Sequence, residues 1–225
     1  MPESIVSGVI TNNSHRQRIK HTMDKAEKYT ARKQGKHAAE MALISRAVTQ
    51  LTPAPLSWLD APCGVGRASI LLSRQGFNVT GVDLGEGALN VAREEVAKQG
   101  VDVAIEKADL LRLPYEQRHF GAVLCFRLIH HLPTPQLRLE IIEELCRVAE
   151  EYVLISYLSP WSYTSVKRRL RQHLTGHCSV QNVTPLTELD RHFAGCGFQR
   201  THDLAQLNMV HSLHLAIYKR TAADT

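Results

Sequence analysis

Between Ser57 and Leu158, short apolar runs alternate with longer amphipathic ones, and this alternation restricts the chain more than any other feature. "LSWLDA", "NVTGVDL", "VDVAIEKA", "FGAVLCF" and "YVLISYL" have the length and apolar content of buried strands. "GRASILLSRQG", "GALNVAREEVAKQG" and "TPQLRLEIIEELCRVA" carry their apolar residues at helical spacing, and Gly76 and Gly100 close the first two. Strands joined by helices of this length run parallel, and a parallel sheet must be covered on both faces. The expected class is therefore α/β, with a doubly wound sheet.

The flanks read differently. "HAAEMALISRAV" sets Ala39, Leu43, Ala47 and Val48 on one helical stripe, widened by Met41 and Ile44. Pro53 and Pro55 in "LTPAP" stop it. This makes residues 14–50 an N-terminal helical cap. After the core at 57–157 comes a basic insertion, 158–183, containing "SPWSYTSVKRRLRQHLTGH". "TPLTELDRHFAGCGF" predicts a helix with Thr184 as N-cap, Pro185 at its first position and Gly197 near its end. "QRTHDLAQL" and "HSLHLAIYKR" predict two closing strands, a hairpin at the sheet edge, within a closing unit 184–220. The 225 residues suffice for one such domain and little more.

Composition narrows the class of function. With 44% hydrophobic residues and no apolar run of membrane-spanning length, a soluble globular protein is expected. The N-terminus lacks the charged start and apolar core of a signal peptide. The five cysteines, Cys63, Cys125, Cys146, Cys178 and Cys196, form no CxxC pair, which fits reduced thiols in the cytoplasm. The net charge of +5 and pI of about 9.0 hint at an acidic ligand or surface without requiring one.

"LDAPCGVGR" follows the first strand, where an open α/β sheet binds its ligand outside the carboxyl ends of its strands. Gly64 and Gly66 let the backbone approach a ligand, and the free N–H groups of the next helix favour a negative group. Alone this is equally a tight turn. Asp83 ends the second strand, 19 residues after Gly64, where an acid can accept from both ribose hydroxyls. Asp109 follows the third strand, where a carboxylate can take the amine of an adenine. Each is weak singly, as a capping acid or a loop acid, but their order along one rim points to adenosine.

At these residues the sequence resembles the class I S-adenosylmethionine-dependent methyltransferases, closely over 57–157. "WLDAPCGVGR", "TGVDL", "KADLLRLPY" and "FGAVLCFRLIHHL" match that family's successive motifs. Asp60 stands for the family's acid, Gly64 and Gly66 match two glycines of its loop, and Pro62 replaces the first. The resemblance implies a mostly parallel seven-stranded sheet of order 3-2-1-4-5-7-6 with an antiparallel last strand and helices on both faces. It implies S-adenosylmethionine as cofactor and S-adenosylhomocysteine as product. Asp60, Ala61, Gly64 and Gly66 would flank its methionine part, and Asp83 its ribose, with Leu84 on the adenine face. Asp109 and Leu110 would hold the adenine edge, and Cys125, Phe126 and Arg127 would border the sulfonium. Tyr29 would close over the site from the cap.

The acceptor is less legible. A small molecule or a lipid-linked, anionic group fits best, with Arg127, Trp161, Tyr163 and Arg168 as contacts. The run Lys167, Arg168, Arg169 and Arg171 is either a solvated helix face or a contact with an anionic membrane surface; nucleic acid is a weaker fit. His130, His131 and Tyr29 are the candidate bases. Adjacent histidines on a helix point about 100° apart and rarely share an ion, and His173, His177 and Cys178 lack a fourth ligand, so no metal is expected. Two other readings stay open. Gly-x-Gly, Asp83 and the Tyr163/Lys167 pair would suit an NAD(P)-dependent oxidoreductase, and the basic face alone a non-catalytic module for anionic surfaces.

Overall fold

The computed structural model describes residues 34–159, 183–206 and 213–221. In chain order the elements are α1 (Gln34–Val48), β1 (Ser57–Asp60), α2 (Arg67–Arg74), β2 (Asn78–Asp83), α3 (Glu86–Gln99), β3 (Val103–Lys107) and β4 (Phe120–Cys125). A 3-10 turn (Ile129–His131), α4 (Pro135–Val148), β5 (Ala149–Leu158), α5 (Leu186–Gly195), β6 (Phe198–Ala205) and β7 (Leu213–Arg220) complete them. One seven-stranded sheet of order β3-β2-β1-β4-β5-β7-β6 holds the strands of the described residues. β1 to β5 pair in parallel, and β7 inserts antiparallel between β5 and β6. The order and the antiparallel last strand are those expected. The closing hairpin is also found, with β6 at the edge and β7 inside.

The two-residue period of the strands divides the core into two layers. Val123 and Cys125 of β4 and Val153, Ile155 and Tyr157 of β5 face one side, against Leu137, Ile141 and Leu145 of α4 and Leu189 and Phe193 of α5. Their neighbours Ala122, Leu124, Leu154 and Leu158 face the other, against Leu43, Ile44 and Ala47 of α1 and Leu72 of α2. The stripe read from "HAAEMALISRAV" is thus the face by which α1 covers the sheet. Residues 14–33 of the cap lie outside the described residues.

Helix starts follow local chemistry. Thr134 caps α4, its side chain accepting from Leu137 N, with Pro135 at the first position. At α5 the expectation needs a one-residue correction. Pro185 is itself the capping residue, with ψ of 139° and no side-chain cap, and its carbonyl accepts from Glu188 N and Leu189 N. Thr184 is fully buried. The extended ψ of Pro185 holds the first helical turn one residue later than its sequence suggests.

Candidate active site

The carboxyl ends of β1, β2 and β4 meet at the point where strand order reverses, between β1 and β4. The loop after β1 is tied to both neighbours: Ala61 N donates to Leu124 O at 2.9 Å and Cys63 N to Val82 O at 2.8 Å. Pro62 lies between these two anchored amides, so its missing N–H costs the loop neither tether. Gly66 has a φ of 79°, and a Cβ there would come 3.2 Å from that of Ala92 on α3. That position thus needs glycine both for its backbone and for its packing.

Asp60 ends β1 with only 1% of its surface exposed. Ser69 Oγ, from the first turns of α2, donates to Asp60 Oδ2 at 2.6 Å, while Oδ1 is buried with no partner among the described residues. Burial pushes the Asp60 carboxyl up to about 7, against the pull of the Ser69 hydrogen bonds. A buried carboxylate oxygen without a donor is costly, and a cationic ligand would relieve it.

Asp83 ends β2, also buried. Its Oδ2 accepts from Gly64 N at 3.0 Å and its Oδ1 from Gly85 N at 2.8 Å. The carboxylate therefore joins the glycine loop to the start of α3 instead of standing solvated at a helix cap. Leu84 follows, half-buried. Asp109 is also half-buried, and its Oδ1 accepts from Leu111 N at 3.1 Å. Its loop is fixed from α4: Glu144 accepts from Leu113 N at 2.6 Å, and Arg147 donates to Tyr115 O at 2.7 Å and Leu113 O at 3.0 Å. Ala61, Leu110 and Cys125 are sealed in the core, so what they can present to a ligand is backbone.

At the end of β4, Arg127 holds a φ of 63°, unusual for a side chain with a Cβ. Its N–H donates to Ser156 Oγ on β5 at 2.6 Å, and its Nη1 to Glu40 Oε1 of α1 at 2.6 Å. Glu40 is 2% exposed and Arg127 22%, so a nearly buried ion pair bolts the helical cap to the rim. Glu40, Ser69 and Ser156 were not legible as site residues: each is a common residue type in no motif, and only the tertiary contacts single them out.

His130 and His131 lie in the 3-10 turn after β4. Their ring centroids sit 4.2 Å apart, tilted by 46°. His130 is buried and His131 half-buried. Tyr29, Trp161, Tyr163, Lys167, Arg168, Arg169, Arg171, His173, His177 and Cys178 lie outside the described residues. Among the described residues no three His, Cys, Asp or Glu side chains gather to hold a metal, and no helix is long and apolar enough to cross a membrane.

Fold and rim together define a doubly wound α/β protein whose site lies at the strand-order reversal, with acids after β1, β2 and β3. Residues 59–151 match the family described as "Methyltransferase domain". A ubiquinone biosynthesis O-methyltransferase of Nitrosospira multiformis is 34% identical over 90 residues, 40% of this chain and 38% of the relative. One of Hahella chejuensis is 34% identical over 93 residues, 41% and 38% of the two chains. The matched stretch thus spans under two fifths of these relatives. The structure of magnesium protoporphyrin IX methyltransferase from Synechocystis with bound S-adenosylhomocysteine superposes with a TM-score of 0.71. It covers 94% of this chain and 95% of its own, at 18% identity, which speaks for the fold. Residues 59–151 thus carry a methyltransferase domain, on the fold shared with the S-adenosylhomocysteine-bound structure.

Proposed function

We propose that this chain transfers a methyl group from S-adenosylmethionine to a hydroxyl oxygen of a small-molecule or lipid-linked acceptor. The observation that carries the reading is the buried Oδ1 of Asp60, which has no donor among the described residues, beside the Asp83-braced glycine loop. That arrangement fits an adenosyl amino acid, which brings an ammonium for Asp60 and ribose hydroxyls for Asp83. The oxygen acceptor is supported by the O-methyltransferases among the relatives.

S-adenosylmethionine supplies a methyl group already activated on a sulfonium. The protein's task is then alignment, exclusion of water and, for a hydroxyl, removal of a proton. Asp60, Gly64 and Gly66 hold the methionine part. Asp83 and Leu84 hold the ribose and one adenine face, and Asp109 with the Leu110 backbone holds the adenine edge. Cys125, Phe126 and Arg127 form the wall on which the acceptor meets the methyl. Arg127, steadied by Glu40, draws an anionic group of the acceptor. Sequence position adds Trp161, Tyr163 and Arg168 as acceptor contacts, the basic run as a partner for an anionic surface, and Tyr29 as a residue that closes over the site. Of the base candidates from the sequence, His131 is half-buried and His130 buried in the turn after β4.

Calorimetry with S-adenosylhomocysteine tests the cofactor. Binding is expected for the wild type and ~10- to 10³-fold weaker for Asp83→Ala, since hydrogen bonds to a charged group are worth about 1.5–3 kcal/mol each. Absence of binding by the native protein overturns the reading.

A further inference from the structure

Three strands bring a second polar cluster to the same rim, beyond Arg127. Tyr157, near the end of β5, is in register with His214 at the start of β7, and His214 is in register with Ala205 at the end of β6. Asp203, two residues before Ala205, engages both rings through one oxygen. Tyr157 Oη donates to Asp203 Oδ2 at 3.0 Å, and His214 Nδ1 lies 3.0 Å from the same atom. Asp203 Oδ1 is buried without a partner among the described residues. Tyr157 is 2% exposed, whereas the His214 and Asp203 side chains keep 18% and 20%.

The chemistry of this arrangement is directional. A carboxylate beside Nδ1 selects the tautomer that carries its hydrogen there, which makes Nε2 the basic atom of the ring. Tyr157 fixes the carboxylate, and burial with the Asp203 charge raises its own phenol well above the ordinary range, so it stays a donor. The other groups along this face include Arg200 of β6 and Asp190 of α5, paired with each other at 2.9 Å, and Tyr218 of β7, which donates to Asp190 at 2.8 Å. On the far side, Arg46 of α1 reaches the Ala205 carbonyl at 3.4 Å. In the sheet order β5 alone separates β7 from β4, which sets the two strands about 10 Å apart along the rim.

We propose that His214, positioned by Asp203 and Tyr157, is the general base of the methyl transfer. The inference rests on the hydroxyl-acceptor reading above. The acceptor's O–H bond breaks and its proton passes to Nε2. The electron pair left on oxygen forms the new C–O bond while the C–S bond breaks and its pair returns to sulfur. The proton then leaves the imidazolium for solvent. His214 is the catalytic residue, and Asp203 and Tyr157 position it.

The experiment compares wild type, His214→Gln, Asp203→Asn and His131→Gln, each first checked for S-adenosylhomocysteine binding. The acceptor probe is dihydroxybenzoate, a catechol with acidic hydroxyls and a carboxylate for Arg127. His214→Gln is expected to keep its affinity for S-adenosylhomocysteine and to lose ~10²- to 10⁴-fold in kcat, together with the limb of the pH profile due to the base. Asp203→Asn is expected to lower kcat more than it changes KM and to displace that limb. A separate readout needs no variant and no turnover: long-range proton–nitrogen NMR of the wild type with S-adenosylhomocysteine should show His214 protonated at Nδ1. An Nε2-protonated ring, an unchanged kcat and pH profile in His214→Gln, or loss of the limb in His131→Gln alone overturns the proposal. Failure of a wild type that binds S-adenosylhomocysteine to methylate the probe also overturns it and leaves the cofactor reading standing. Failure to bind S-adenosylhomocysteine removes both.

Discussion

Asp60 concentrates the chemistry of the site in one side chain. The ordinary carboxyl value is 3.8, and burial raises it in the folded protein to about 7. A carboxyl raised on folding favours the folded state in its protonated form. Its contribution is full below about pH 4, is lost as pH rises toward 7, and is flat above. Relative to wild type, Asp60→Asn should therefore gain stability between pH 4 and 7, read as a difference in Tm across pH. A cation beside the carboxyl reverses its preference. Binding of S-adenosylhomocysteine, whose ammonium faces it in the proposed pose, should release a proton below pH 7 and tighten as pH rises toward 7. Calorimetry in two buffers of different ionisation enthalpy measures that proton. Asp60 was legible beside the glycine loop because an acid ending a strand is a local pattern. Its raised carboxyl was not, since burial is a property of the assembled core.

The elements are held to the rim by contacts between distant segments, among them the ion pair of Arg127 with Glu40 at 2.6 Å. Removing one member leaves the other charge buried and unpaired. Arg127→Ala should cost about 3–5 kcal/mol in urea unfolding, while the double change Glu40→Gln with Arg127→Met should recover much of it. If the single and double variants lose the same stability, the pair does not couple. At the start of α4, Thr134→Ala should cost about 1 kcal/mol, because the hydroxyl accepts from Leu137 N. The boundaries of most elements were readable from period and punctuation. The start of α5 was missed by one residue, because the pairing of Thr with Pro does not reveal the ψ that Pro185 adopts.

At the scale of the whole molecule, β7 joins the closing unit to the core. Phe193 of α5 stacks on Tyr218 of β7 with ring centroids 3.8 Å apart and is fully buried. Phe193→Ala should cost about 3–5 kcal/mol through the cavity it leaves. If the sheet unfolds as one unit, near- and far-ultraviolet circular dichroism should shift together. The sequence by itself determined the α/β class, the places of the seven strands and the glycine loop with its three acids. These are written in local periodicity and in residues adjacent to strand ends, and the family resemblance supplied their order in the sheet. Only the tertiary structure decided that Glu40 meets Arg127, that Asp60 has no donor on one oxygen among the described residues, that two neighbouring histidine rings come close, and that Tyr157, Asp203 and His214 meet on one rim. Those groups lie up to 87 residues apart in the chain. Chain folding fixes their distances, and the burial it creates sets their charge.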